Sequence, residues 1–351
     1  MVAFKYFANN DVRRVEIDRP EPGPGELLVK VLATGVCGTD LHIASHGDWI
    51  GKAPLPEVTI GHEFVGEVIE IGPDVVFTRK YPRIEAEIRV GDRVCAEPHI
   101  PCGRCYWCLR GETNICADIG HLGVSMDGSF AEYLVVAADR CSVVPESVSN
   151  LDASGIEPVA CAVRAVHRSR MTVGETVVVI GAGPMGQHVA RVAQLTGASV
   201  VVVSEPNTRR REIAAANGVE VVVDPAEADL EAVVAELTNG IGADVTFEVA
   251  GLSATIQQAI DVTRQGGRLV QVGVPTGSVN VDIRKVIIGE IEIIGEHATQ
   301  WDFGTAIDLV KTGRVDVASL ITHTLPLDEA LEAMRLAADG GEAVKVVLTR
   351  E

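Results

Sequence analysis

The chain has 351 residues, 47% of them hydrophobic and 23% charged, with a formal net charge of −19. That is length enough for two globular domains, and so large an acidic excess repels nucleic acid and anionic lipid surfaces. The opening residues, MVAFKYFANNDVRRVEIDRP, lack a signal-peptide core, and no run of about 18 apolar residues follows, so neither export nor a membrane partner is expected. A cytoplasmic protein with its eight cysteines reduced or metal-bound is the expectation.

Residues 1 to about 150 carry short β-segments punctuated by Gly and Pro, such as ELLVKVLATGVCG and FVGEVIEIG. This texture predicts an irregular β-rich domain with long functional loops. Within it lie Cys37-Gly-Thr39-Asp40-Leu-His42 and, 25 residues from Cys37, His62 followed by Glu63. With Glu157 further on, a thiolate, an imidazole and a carboxylate would give Zn²⁺ three mixed ligands and one open position. Each residue also has a plain alternative: a small buried cysteine, a satisfied core histidine, a surface carboxylate. The charged segment around 76–89 reads as an exposed excursion.

Cys102, Cys105, Cys108 and Cys116 fall within fifteen residues, spaced Cys-x2-Cys-x2-Cys-x7-Cys. Four thiolates so close can close a tetrahedral shell around one zinc, leaving no position for substrate, so this site would be structural. Disulfides are the alternative, but nothing else points to an oxidising compartment.

After Pro158 the texture changes to apolar strands at 177–181, 199–204, 219–223, 243–251 and 267–274, with helical stretches such as MGQHVARVAQLTG and RRREIAAANG between them. Near-continuous apolar strands alternating with helices predict a doubly wound α/β domain built on a parallel sheet. Gly181-Ala-Gly183-Pro184-Met185-Gly186 follows the first strand and opens a helix, the setting a dinucleotide pyrophosphate needs. Glu205 stands 19 residues after Gly186, where a carboxylate accepts the ribose hydroxyls of NAD and repels the 2′-phosphate of NADP. Arg209, Arg210 and Arg211 read either as a phosphate grip or as a solvated helical turn. From about 292 the tail keeps helices but loses the alternation.

Taken together, GVCGTDLH, TIGHEFVGEV, VGDRVCAEPHIPCGRC, the four-cysteine loop, GSFAEYLVV, VVVIGAGPMG and LITHTLPLDEALEAM resemble the zinc-dependent medium-chain alcohol dehydrogenase family over essentially the whole chain. Within it the chain is similar to the threonine, polyol and butanediol dehydrogenase branch. The resemblance implies a GroES-like catalytic domain from 1–155 and 292–351 with a Rossmann NAD-binding domain inserted at 156–291. It implies two zinc ions per chain, the catalytic one held by Cys37, His62 and Glu157 with Glu63 able to exchange in, Glu157 being preferred at rest. Asp40 would hold the His62 imidazole, and Cys161 would be a small buried residue. Thr39 would take the proton of a secondary alcohol and His42 would pass it to solvent, while Gly181, Gly183, Pro184, Met185, Gly186, Glu205, Arg210, Val249, Val272 and Val274 would contact the cofactor.

Asp48, Trp49, His99, His297 and Thr299 are candidate pocket residues. The stretch IIGEHATQWDF departs from the threonine dehydrogenase pattern, which places a polyol, sugar alcohol or vicinal diol slightly ahead of threonine. Strands near 270–295 with few charges point to a homodimer or homotetramer. A non-catalytic NAD-binding sensor or a zinc-free reductase is disfavoured because Cys37, Thr39, His62 and the four-cysteine loop are all in place.

Overall fold

The computed structural model describes residues 1–47, 55–77 and 87–350; Asp48, Trp49 and positions 78–86 of the expected excursion lie outside them. The chain divides into two compact units, Met1–Ala160 with Thr299–Glu351, and Cys161–Ala298.

The first unit is built around the strand Glu26–Gly35, which pairs antiparallel with Glu63–Ile71, Tyr133–Ala137 and Lys345–Thr349. Flanked in this way, ELLVKVLATG is buried at most positions rather than alternately, as a strand covered on both faces must be. Arg93–Ala96 and Cys141–Val143 extend the sheet on one side and Ile321–Pro326 on the other, giving seven strands. The chain's last strand thus lies beside one of its first, which is why the tail drops out of the β–α alternation. One core gathers Leu27, Val29, Phe64, Val68 and Leu134; another gathers Phe4, Ile43, Phe130, Ala333 and Val346, so both chain ends are needed to close it.

The second unit holds six parallel strands in the order Val221–Val223, Val200–Ser204, Thr176–Ile180, Ala243–Glu248, Thr263–Gln271, Glu292–Gly295. Strand order reverses between Thr176–Ile180 and Ala243–Glu248, and ligands of such sheets bind outside the carboxyl ends at that point. The apolar runs read from sequence are these strands, although the fifth begins at Thr263 and ends at Gln271 rather than spanning 267–274.

Both expected domain boundaries fall short of the observed division. The helix Ile156–Ser169 runs through the first. At the second, Glu292–Gly295 pairs with Thr263–Gln271, so the second unit continues to Ala298 instead of ending at 291.

Candidate active site and metal centres

Cys37 precedes the helix Gly38–His46, and Asp40 in its first turn is fully buried. The Asp40 carboxylate accepts the backbone N–H of Cys37 at 2.9 Å and that of Gly61 at 3.1 Å, and stands 3.5 Å from Nδ1 of His62. One buried carboxylate therefore ties together the two segments that present Cys37 and His62. Gly61 has φ +92, and a Cβ there would run into the Phe130 ring, so the turn that aims His62 needs glycine.

The ligand atoms of Cys37, His62 and Glu63 all lie within 4.8 Å of one another. Glu157 is buried in the first turn of Ile156–Ser169 but does not enter this group. Glu63 opens the strand Glu63–Ile71 directly after His62, whereas Glu157 stands on a separate helix. Burial disfavours a charged imidazole at His62, but the facing Cys37 and Asp40 outweigh it and hold the group well above the usual histidine range. A metal entering this site displaces that proton, so its binding weakens as pH falls. Thr39 and His42, three residues apart on the Gly38–His46 helix, are both half-buried, and His42 stacks on His46 with ring centroids 4.6 Å apart.

Two further side chains reach this cluster without having been legible in the sequence. Lys345, buried at the start of the last strand, donates from Nζ to Glu63 Oε2 and to the carbonyl of Val36. Burial alone would push this lysine down, yet Glu63, Cys37 and Asp40 hold it above the ordinary lysine value. His121 is paired across two short antiparallel strands with His99. Its ring stands edge-on to both His99 (4.5 Å) and His62 (5.2 Å), making a row of three imidazoles, all buried. Thr299 is buried with its hydroxyl unpartnered, the condition a substrate hydroxyl or water relieves; His297 is half-buried.

Cys102, Cys105, Cys108 and Cys116 form the second group, again within 4.8 Å. The Cys105 sulfur lies 3.5 Å from that of Cys108 and 3.8 Å from that of Cys116. A tetrahedron of sulfurs at about 2.3 Å from zinc has edges of about 3.8 Å, so the loop is already shaped for the ion. None of the eight cysteines is joined in a disulfide, which disfavours the disulfide alternative. Backbone amides of Cys108 and Ala117 bring the Cys105 thiol down to about 6, whereas burial and the neighbouring thiols push Cys108 up to about 12. Both donor sets suit zinc: four soft thiolates in one, and a thiolate, imidazole and carboxylate in the other.

In the second unit Gly181 has φ +97, and a Cβ on Gly186 would strike its carbonyl group, reaching 2.9 Å from the carbonyl carbon. Gly183 caps the helix Pro184–Thr196 without a side-chain bond, and nothing lies within 4 Å of where its Cβ would be. That open, amide-lined helix start suits a pyrophosphate. Glu205 is buried, its carboxylate accepting Ala182 N at 2.7 Å and Asn207 N at 2.9 Å. Of the three arginines, Arg211 is engaged by Asp224 at 2.7 Å and Arg209 by Glu212, while Arg210 stands 3.9 Å from Glu205. Val249 and Val272 are half-buried beside the strand ends, and Val274 is exposed.

The chain matches the alcohol dehydrogenase GroES-like domain over residues 23–146 and the zinc-binding dehydrogenase domain over residues 184–312. It is 38% identical over 335 residues to an L-threonine 3-dehydrogenase of Pyrococcus horikoshii, covering 93% of this chain and 92% of that one. A sorbitol dehydrogenase of Halalkalibacterium halodurans is 35% identical over 338 residues, 95% of this chain and 94% of its own. The crystal structure of 2R,3R-butanediol dehydrogenase from Bacillus subtilis superposes with a TM-score of 0.87 at 29% identity, covering 100% of this chain and 99% of that one.

Proposed function

The chain belongs to the zinc-dependent medium-chain alcohol dehydrogenase family, and from that premise we propose that it oxidises a secondary alcohol to a ketone with NAD as hydride acceptor. The observation that carries the reading is the Cys37, His62 and Glu63 cluster, held by the buried Asp40. Zinc at this cluster supplies Lewis acidity, lowering the pKa of the substrate hydroxyl. The chain's own groups do the rest. Thr39 accepts the hydroxyl proton as it gives up its own, and His42, one helical turn on, passes a proton to solvent. Glu205 holds the ribose of NAD, Gly181, Gly183 and Gly186 admit the pyrophosphate, and Arg210 lies against the adenine side of that site. Val249, Val272 and Val274 line the nicotinamide end. Cys102, Cys105, Cys108 and Cys116 hold the structural zinc.

A polyol, sugar alcohol or vicinal diol is the proposed substrate class, supported by the likeness to sorbitol and butanediol dehydrogenases and by the polar row of His62, His121 and His99. L-Threonine is the second reading, favoured by the 38% identity to the Pyrococcus enzyme.

We also infer a cytoplasmic homodimer or homotetramer. Glu292–Gly295 is an edge strand, and Ile283, Ile287, Ile288 and Ile293 near it are exposed, a surface suited to a second copy. Among the described residues no helix is long and apolar enough to cross a membrane.

The test is reduction of NAD and NADP, followed by absorbance, across L-threonine, sorbitol, xylitol, galactitol, 2,3-butanediol, myo-inositol and 2-propanol. Turnover on a polyol or diol with NAD, abolished by chelation, is the expected result. Turnover confined to threonine establishes the second reading. Preference for NADP would contradict the role given to Glu205, and silence with every alcohol would remove this substrate class.

A further inference from the structure

Glu63 and Lys345 sit on strands that are not neighbours, with Glu26–Gly35 between them. Gly35 is paired with Glu63 on one side and with Val347 on the other. A Cβ at position 35 would stand 2.8 Å from Cε and 3.0 Å from Nζ of Lys345, and closer still to the Glu63 carboxylate. The missing side chain is a window through which the lysine crosses the central strand. Its ammonium also donates to the Val36 carbonyl at 3.0 Å, so it is anchored to the backbone directly ahead of Cys37. Lys345 and Glu63 are both buried, with 6% and 2% exposure.

Desolvating an ion pair of this kind offsets much of its attraction, and an apolar pair of similar volume is often as stable. Stability alone therefore does not account for a lysine threaded to this carboxylate. The pair's position does: Glu63 lies among the ligand atoms of Cys37 and His62, and a carboxylate oxygen engaged by an ammonium is a weaker metal donor.

We propose that Lys345 is a positioning residue that competes with the catalytic zinc for the Glu63 carboxylate, and so sets whether Glu63 is a ligand. The inference rests on the zinc reading of Cys37 and His62. With Glu63 held by the lysine, a coordination position stays open to substrate; with Glu63 released, the carboxylate fills it.

The experiment uses full-length protein with cobalt(II) exchanged into the catalytic site. Its visible bands report coordination number, and the rate at which a chelator strips the ion is measured in parallel. Lys345→Met should weaken the cobalt bands, as a higher coordination number does, and slow stripping by about tenfold, the scale of changes to groups that hold a metal ligand. In the Glu63→Gln background, Lys345→Met should change neither readout, because the contested carboxylate is gone. This second comparison stands even if the single lysine variant folds poorly, since the double variant leaves no unpaired buried charge and in Glu63→Gln alone Lys345 keeps the Val36 carbonyl as acceptor. Unchanged bands and stripping in a folded Lys345→Met protein would overturn the proposal, as would an effect that persists without Glu63. Wild-type protein that takes up metal only at the four-cysteine loop would overturn the zinc reading itself, and the inference with it.

Discussion

Replacing Cys37 with serine is expected to lower kcat/KM by about a thousandfold or more, since the metal's charge stabilisation is worth several kcal/mol and each 1.4 kcal/mol is a factor of ten. The thiolate is the one soft anionic ligand of the open cluster, and a neutral hydroxyl is a poor replacement. The fold should survive, because Asp40 holds this segment through the backbone N–H of Cys37 and not through its side chain. Bound zinc should fall from two ions per chain to one, while NADH binding, proposed for the glycine turn and Glu205 of the second unit, stays near the wild-type value. Turnover within a few-fold of wild type would show that the open cluster is not the site of chemistry.

The second large effect is structural. Replacing Cys105 with serine should remove the other zinc and lower the melting transition of the first unit by about 10 °C or more, as a domain losing several kcal/mol does. The loop has little else to hold it. Its helix Tyr106–Leu109 is only four residues long with none of them buried, and Tyr106 and Leu109 are 64% and 76% exposed. Asn114 and Cys116 are its buried members, so metal–sulfur bonds stand in for a core. The catalytic zinc should remain in this variant, separating it from Cys37→Ser by metal analysis and calorimetry. An unchanged melting curve would show that the loop is held by its protein contacts alone.

The features that sequence revealed best are those with a local cause. Val177–Ile180 and Val201–Ser204 are buried throughout, and only a strand covered on both faces needs so unbroken an apolar run. The four cysteines close their own loop, so spacing alone suffices. The glycines of 181–186 answer to backbone geometry within six residues.

What sequence could not rank were choices made by long-range packing. Glu63 stands within the open cluster and Glu157 outside it because of where a strand and a helix come to rest. Lys345 meets Glu63 across 282 positions and only because Gly35 leaves room. His99 meets His121 through a pair of two-residue strands too short to leave a periodic signal. In sequence the strand Glu292–Gly295 reads as part of the tail, because a four-residue segment after a helix carries no mark of the sheet it extends.

On the reading proposed above, one zinc ion is structural and a second, at Cys37 and His62, is required for alcohol oxidation. Titrating a chelator against the purified protein, while following zinc content and NADH formation together, separates the two roles. Two zinc ions per chain are expected, with activity lost in step with the ion of the Cys37 and His62 cluster and regained when one equivalent of zinc is returned. Full alcohol oxidation by protein holding only the zinc of the four-cysteine loop would contradict that reading.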